Sequence, residues 1–323
     1  MNSQIKISIT IPILNEQDSI KNLLESLINQ TYKADEIIFS DGGSIDNTIK
    51  IIKDYQKKYN FIKLISRKGI CRGAGRNSAI NYAKNNLIAL CDAGAYPNTN
   101  WLENFLVKYD DSTQDQIIYG SIKPIFTNIF SRNIANIIIG KNHTDGTISP
   151  SVASMLITKK KWKSVGCFPE SSDGKYIVED LKFIKSLNST NYIKIDQKDA
   201  IVNWYLPNNL KKIYYRFTEY SRGTFSTEFA KNWHRGFFRN IIILLIIILT
   251  SIKYNILFLF LLMPIILLRS YFYLVSMPTY FHKKKLLFYD TIFTSFILIV
   301  IDLATLKGIF KYIRYDLFQK KKN

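Results

Sequence analysis

At 323 residues the chain is long enough for one large domain or two smaller ones, and its 44 Lys and Arg outweigh 25 Asp and Glu to give a net charge of +19. The excess is uneven: from Gly236 onward there are 12 basic and 3 acidic residues, beside the longest apolar runs of the chain, which points to a membrane and away from a nucleic-acid groove. Three cysteines without CxxC spacing (Cys71, Cys91, Cys167) predict reduced thiols in a reducing compartment, and three histidines without ligand spacing exclude a structural zinc.

The first strand pattern is Lys6 to Pro12. No basic, apolar leader precedes it, so a cleaved signal peptide is not expected. Asn15-Glu16 follows, then a helix with Ile20, Leu23, Leu24, Leu27 and Ile28 at helical spacing. Ile37-Ile38-Phe39 reads as a buried strand that stops at Ser40-Asp41-Gly42-Gly43-Ser44, with Ser44 or Asp46 able to cap the next helix. Asp41 thus stands at the carboxyl end of a strand, where open α/β sheets read their ligands; the plainer reading is a surface turn with a capping acid. A third strand, 61–65, completes β-α-β-α-β and implies a parallel sheet.

The run from Lys68 to Asn77 holds Gly69, Gly73 and Gly75 with Arg72 and Arg76, and it leads into a helix through Ile80 and Ala83. Backbone N–H groups at such a turn favour anions, and arginine grips phosphate with two donors, so diphosphate suits it. The spacing fits neither the dinucleotide fingerprint nor a P-loop. Leu87 to Cys91 is a fourth buried strand ending in Asp92-Ala93-Gly94, a natural place for a divalent cation bridging protein and diphosphate. A helix over Trp101 to Tyr109 follows.

Ile11-Pro12-Ile13-Leu14-Asn15-Glu16, then Asp41-Gly42-Gly43-Ser44-Ile45-Asp46-Asn47-Thr48, Gly75-Arg76-Asn77 and Asp92-Ala93-Gly94 resemble, in order and spacing, the motifs of family 2 glycosyltransferases. The resemblance implies an α/β GT-A nucleotide-diphospho-sugar transferase fold, a mostly parallel sheet with helices on both faces, over residues 1–230, with hydrophobic membrane helices in 231–323. It implies that Pro12, Asn15 and Glu16 cradle the nucleoside and that Asp41, with Gly43, reads the base edge. Arg72, Arg76 and Asn77 then face the diphosphate, beside Asp92, Ala93 and Gly94. Asp92 matches the first acid of the family's Asp-x-Asp motif; Gly94 replaces the second, the usual metal ligand. A divalent ion, Mg²⁺ or Mn²⁺, is expected on Asp92 and the diphosphate with help from elsewhere.

Strand 117–122 and an apolar helix in 125–148 come next, followed by a loop histidine, His143. Residues 149–158 resemble the strand lining the acceptor cleft, and 162–170 the turn after it. Glu179-Asp180 matches the acidic pair heading a family helix, which makes Asp180, with Glu179 beside it, the expected base of an inverting transfer; the plainer reading is a pair of acids favoured by a helix N-terminus. A strand over 200–205 precedes an aromatic and basic helix, 210–229, whose Arg222 or Arg216 either touches the diphosphate or lies on a plain surface. His234 is a candidate metal or phosphate contact.

Residues 240–277 hold two apolar runs and 286–306 a third. With basic clusters at Arg235/Arg239, Lys283 to Lys285 and Lys320 to Lys322, a hairpin over 240–277 and a re-entrant or interfacial segment over 286–306 keep all three on the cytoplasmic side, together with the catalytic domain. The rival arrangement is interfacial helices that do not cross. The sequence thus predicts a membrane-associated, inverting transferase that moves a sugar from a UDP- or GDP-type donor to a glycan or lipid-linked acceptor in cell-surface polysaccharide or glycolipid synthesis, with no nucleic-acid partner. Gly94 leaves a rival, an inactive GT-A domain serving as a membrane-bound scaffold. A processive synthase is disfavoured, since no Gln-x-x-Arg-Trp motif is present.

Overall fold

The computed structural model describes residues 5–113, 115–139, 150–171, 178–225, 227–275 and 288–317. The chain divides into two compact units, Met1–Pro124 with Thr147–Tyr205, and Ile125–Gly146 with Leu206–Asn323.

The first unit is built on one sheet. Its elements run β1 (Ile7–Ile13), α1 (Ile20–Ile28), β2 (Glu36–Asp41), α2 (Thr48–Gln56), β3 (Ile62–Ser66), α3 (Arg72–Tyr82), β4 (Leu87–Cys91), β5 (Ala95–Pro97) and α4 (Trp101–Lys108). Strand order in the sheet that includes them starts β3-β2-β1-β4, and these four pair in parallel. Every residue of β1, β2 and β4 is buried. That is why β2 and β4 carry unbroken apolar runs, since both faces of the sheet are covered, while β1 alternates isoleucine with Ser8 and Thr10, which are buried as well. On one face Ile9, Ile37, Phe39 and Ala89 meet Leu23, Leu24 and Leu27 of α1 and Trp101 and Phe105 of α4. On the other, Ile38, Ile88 and Leu90 meet Ala79 and Ile80 of α3.

β6 (Gln116–Ile125) is followed by α5 (Ile129–Ile139), which belongs to the second unit. The chain returns with β7 (Ser154–Thr158), α6 (Lys159–Ser164), α7 (Glu179–Asn188) and β8 (Ile193–Tyr205). Here the expected mostly parallel sheet needs correction. β7 runs antiparallel to β4 and to β6, and β5 pairs antiparallel with β8, so the sheet is mixed and its order ends β4-β7-β6-β8-β5. Three-residue β5 and six-residue α6 are too short to carry a periodic signal, and β8 begins well before the apolar 200–205 because 193–199 are largely exposed.

The second unit holds α5, α8 (Leu210–Phe225), α9 (Ala230–Lys253), a 3₁₀ turn (Ile256–Leu261), α10 (Leu262–Val275) and α11 (Phe288–Lys311), whose end continues as a π turn to Leu317. The compact units part at Tyr205, and α5 and α8 pack with α11. Three helical stretches, Ala230–Lys253, Ile256–Val275 and Phe288–Tyr315, are long and apolar enough to cross a membrane. Of the two forms expected for 286–306, the re-entrant one gives way to a continuous helix from Phe288 to Lys311. Its buried face carries Asp290, Thr294, Ser295, Thr305 and Gly308 together with Ile297, Leu298, Ala304 and Ile309, while Phe288, Phe296, Leu303, Leu306 and Phe310 lie exposed. A helix that buries small and polar residues yet leaves several large apolar ones outside suits lipid. The loop with His143 and the clusters Lys283 to Lys285 and Lys320 to Lys322 lie outside the described residues.

Candidate active site

The carboxyl ends of β1, β2 and β4, with the start of α3 and α7, carry the predicted site residues of the first unit. After β1, Asn15 takes a left-handed conformation (φ 54°), which asparagine tolerates better than most residues. Its N–H donates to Ser44 Oγ (2.8 Å) and its Oδ1 accepts from Ile45 N (2.9 Å). Glu16 N donates to Thr48 Oγ1 at 2.7 Å. The loop after β1 is thus laced to the loop after β2, and Asn15 serves that lacing.

Asp41 departs from its expected part. Its carboxylate is 1% exposed and accepts from Gly43 N (3.0 Å), Ser44 N (3.0 Å), Ser44 Oγ (2.6 Å) and Ser66 Oγ (3.0 Å). With those four donors the acceptor capacity of the carboxylate is used in closing its own turn, so Asp41 sets the shape of the Gly42-Gly43 loop and does not present a free edge to a base. Gly43 has φ 107°, which a side chain would strain.

The centre of the site is Arg76, on α3, only 2% exposed. Its Nη1 donates to Glu179 Oε1 at 2.7 Å and its Nη2 to Asp92 Oδ1. Three elements meet there: Asp92 follows β4, and Glu179 opens α7. Gly73 makes the approach possible, because a Cβ there would run into the Pro169 carbonyl oxygen and the Glu179 side chain. Arg72 stands one turn before Arg76, its Nε 3.9 Å from Glu179 Oε1, and its side chain is half exposed. Burial alone would favour discharge of the Arg76 guanidinium; Asp92 and Glu179 outweigh it and hold its pKa above the ordinary value.

Glu179 is sealed in this pair, 1% exposed, whereas Asp180 is partly exposed. The Asp180 carboxyl is raised above its ordinary value of 3.8 by burial, reinforced by the charge of Glu179 and opposed by Arg76. The two acids therefore divide: Glu179 fixes a cation, while Asp180 holds its proton more tightly than an ordinary carboxyl. Just before them, Val178 sits in the left-handed region (φ 51°, ψ 45°), a strained choice for a β-branched residue.

Asn77, expected at the donor, is instead spent on the fold. Its Nδ2 donates to Phe168 O (2.8 Å) and Glu170 Oε1 (2.7 Å), and its Oδ1 accepts from Phe168 N (2.9 Å) and Trp162 Nε1 (3.2 Å). Pro12 is buried against α3, its Cβ 3.4 Å from where a Cβ on Gly75 would stand. Ala93 and Gly94 are partly exposed after β4, Gly94 with φ 74°. A Cβ on Gly94 would stand 3.9 Å from Glu16 Oε2, so a carboxylate lies close to the position whose own acid is missing. That nearness was hidden in the sequence, where the two residues are far apart. Among the described residues no cluster of three His, Cys, Asp or Glu side chains forms a ready metal site. Asp92 keeps one oxygen outside its pair with Arg76 and is partly exposed, which fits a cation shared with a diphosphate better than a protein-only cage.

Arg222 and His234 belong to the second unit. Arg222 Nη1 lies 3.7 Å from Glu219 Oε2 on its own helix. His234 is 1% exposed, with Nδ1 2.9 Å from Ala230 O and Nε2 3.0 Å from Ser221 Oγ, so neither ring nitrogen is open to a metal. The expectation of a metal contact there gives way to helix packing.

Residues 8–166 match the family described as Glycosyl transferase family 2. The chain carries a family 2 glycosyltransferase domain. Over 93 residues (29% of this chain, 27% of the other) it is 38% identical to the uncharacterized glycosyltransferase YibD of Escherichia coli K12. It is 36% identical over 125 residues to the poly(ribitol-phosphate) beta-glucosyltransferase of Bacillus spizizenii, 38% of this chain and 20% of that one. The chain thus spans less than a third of the length of these two relatives. Among solved structures it is similar to the mannosyltransferase PcManGT from Pyrobaculum calidifontis, in complex with GDP-Man and Mn²⁺. The match has a TM-score of 0.63 and 14% identity, and covers 97% of this chain and 88% of that one. At that identity the likeness concerns the fold: this family 2 domain has the GT-A architecture.

Proposed function

We propose that the chain is an inverting glycosyltransferase that takes a sugar from a UDP- or GDP-type donor and passes it to a glycan or lipid-linked acceptor. The observation that carries this reading is the buried Arg76, bridging Asp92 and Glu179 beside the partly exposed Asp180. An inactive scaffold has no use for a buried cation aimed between two acids next to a carboxyl tuned upward, and such an arrangement costs stability. Poly(ribitol-phosphate) is named in one relative and GDP-Man accompanies one structural neighbour, which supports a role in cell-surface polysaccharide or glycolipid synthesis.

In the proposed reaction the Asp180 carboxylate accepts the proton of the acceptor hydroxyl. That oxygen forms a bond to the anomeric carbon on the face opposite the diphosphate, whose C–O bond breaks, and the nucleoside diphosphate leaves with the electron pair. Arg76 keeps Asp92 and Glu179 in place, and Arg72 supplies positive charge toward the diphosphate. Asp92, with Glu16 as the nearby second carboxylate, would hold a divalent cation, which neutralises leaving-group charge when bound. The catalytic unit is assigned to the cytoplasmic side, where nucleotide sugars are supplied.

Thermal stabilisation of the detergent-solubilised chain by a panel of nucleotide diphosphates, with and without Mn²⁺, tests this. A ligand at a hundred times its dissociation constant adds about 2.7 kcal/mol. Stabilisation by one nucleotide, lost in Asp92→Ala, is expected; a folded sample that answers to none overturns the reading.

A further inference from the structure

We propose that the second unit carries a binding site for an anionic glycerophospholipid, formed by Lys231, Arg235 and Arg239 at the head of α9. The three cations are spaced four residues apart and so stack on one face of the helix. They rim a cleft of about 600 Å³ whose remaining wall is apolar: Phe225 of α8, Ala230, Phe238, Ile242 and Ile243. All three side chains are exposed, and none has an ion pair with a carboxylate among the described residues. Below them, α9 turns wholly apolar from Ile241 to Leu249, with most of these side chains exposed as well.

The occupant follows from this pairing of surfaces. Three unpaired cations on an apolar wall raise one another's charging cost and call for an anion. A free phosphate would satisfy the cations and leave the isoleucines bare; a fatty chain alone would do the reverse. A phosphodiester headgroup attached to acyl chains answers both, its oxygens taken by the two guanidiniums and the ammonium and its chains lying along Phe238, Ile242 and Ile243. Beyond Arg239 α9 runs on to Lys253, about 21 Å, which fits within a hydrocarbon core of about 30 Å. The basic turns therefore stand at headgroup depth when the apolar turns are in the core. The site goes beyond sugar transfer and rests only on membrane association.

Native mass spectrometry of the full chain, released from detergent containing phosphatidylglycerol or phosphatidylcholine of the same acyl chains, tests the assignment. Retention of phosphatidylglycerol over phosphatidylcholine is expected, with a loss on the order of tenfold to a hundredfold in the variant Lys231→Gln/Arg235→Gln/Arg239→Gln. The charge-preserving Lys231→Arg/Arg235→Lys/Arg239→Lys should retain the lipid, and the single Arg235→Gln should fall between. Nucleotide-dependent thermal stabilisation of each variant reports separately on the donor site and on folding. Equal retention of both lipids by the wild type, undiminished retention by the single and triple Gln variants, or displacement of the lipid by excess inorganic phosphate would each overturn the proposal.

Discussion

Helices α1 and α11 bury different kinds of surface, the first wholly apolar and the second mixed. α1 hides Ile20, Leu23, Leu24, Leu27 and Ile28 against the sheet and leaves its charged residues outside. α11 hides Asp290, Thr294, Ser295, Thr305 and Gly308 beside Ile297, Leu298, Ala304 and Ile309, and leaves Phe288, Phe296, Leu303, Leu306 and Phe310 outside. In the first unit apolar burial is what orients a helix, and among the described residues the ion pair buried on both sides is at the site, Arg76 with Glu179, beside Asp92. In the second, apolar side chains point everywhere and distinguish no face. There the orienting is done by polar partners: Arg132 with Asp290, Arg269 with Asp302 (2.5 Å), and Ser270 with Ser295 (2.8 Å).

The largest test of this contrast is at the base. Asp180→Asn should lower turnover by about 10²–10⁴-fold with little change in nucleotide binding, read by steady-state kinetics beside thermal shift. Because the folded carboxyl holds its proton more tightly than an unfolded one, Asp180 costs stability as pH rises from 3.8 through its own raised pKa. The variant should thus melt higher than the wild type at neutral pH, and the difference should vanish in acid. Wild-type activity should rise with pH through that same raised value.

Next come the ion pairs. Glu179→Ala leaves Arg76 buried with half its partners and should destabilise by about 3–5 kcal/mol. Arg76→Met with Glu179→Leu should recover most of that stability and still bind no donor. The matching pair in the second unit, Arg269→Met with Asp302→Leu, should recover both stability and transfer. If the second pair proved as indispensable to activity as the first, the contrast between the units would break.

Smaller effects are expected at two close approaches. Gly120→Ala drives a methyl into Ser154 Oγ and the Ala200 carbonyl, and Gly308→Ala brings one within 2.5 Å of the Thr218 carbonyl and 2.7 Å of Ser221 Cβ. Each should cost about 1–3 kcal/mol in thermal or chemical unfolding, the sheet position more, since strands cannot slide as helices can. The smallest is Gly94→Asp: its left-handed backbone costs about 1 kcal/mol, while a second acid beside Glu16 should tighten Mn²⁺-dependent nucleotide stabilisation a few-fold.

The parallel half of the sheet was legible because β2 and β4, buried on both faces, leave continuous apolar runs, β1 alternates, and the helices between them supply their own periodicity. The antiparallel half was not: β5 is three residues long, β8 alternates only at its end, and nothing local marks their pairing. At the site, Arg76, Asp92 and Glu179 were legible as motif members, but their mutual bonds were not, since these join residues 16 and 103 apart. Asp41 and Asn77 read as ligand contacts because a motif shows residue type and position; whether a side chain faces a ligand or its own loop depends on donors that only the folded chain brings near.

The 103-residue reach from Arg76 to Glu179 also sets a timetable. A chain made N-terminus first, at roughly 5–20 residues per second, has α3 and Asp92 ready some seconds before Glu179 leaves the ribosome. In that interval the guanidinium holds a single carboxylate, and the strand that will flank β4, β7, arrives only after α5 of the second unit. The candidate site therefore has all its residues once Glu179 and Asp180 emerge, while the apolar helices α9, α10 and α11 are still to be made.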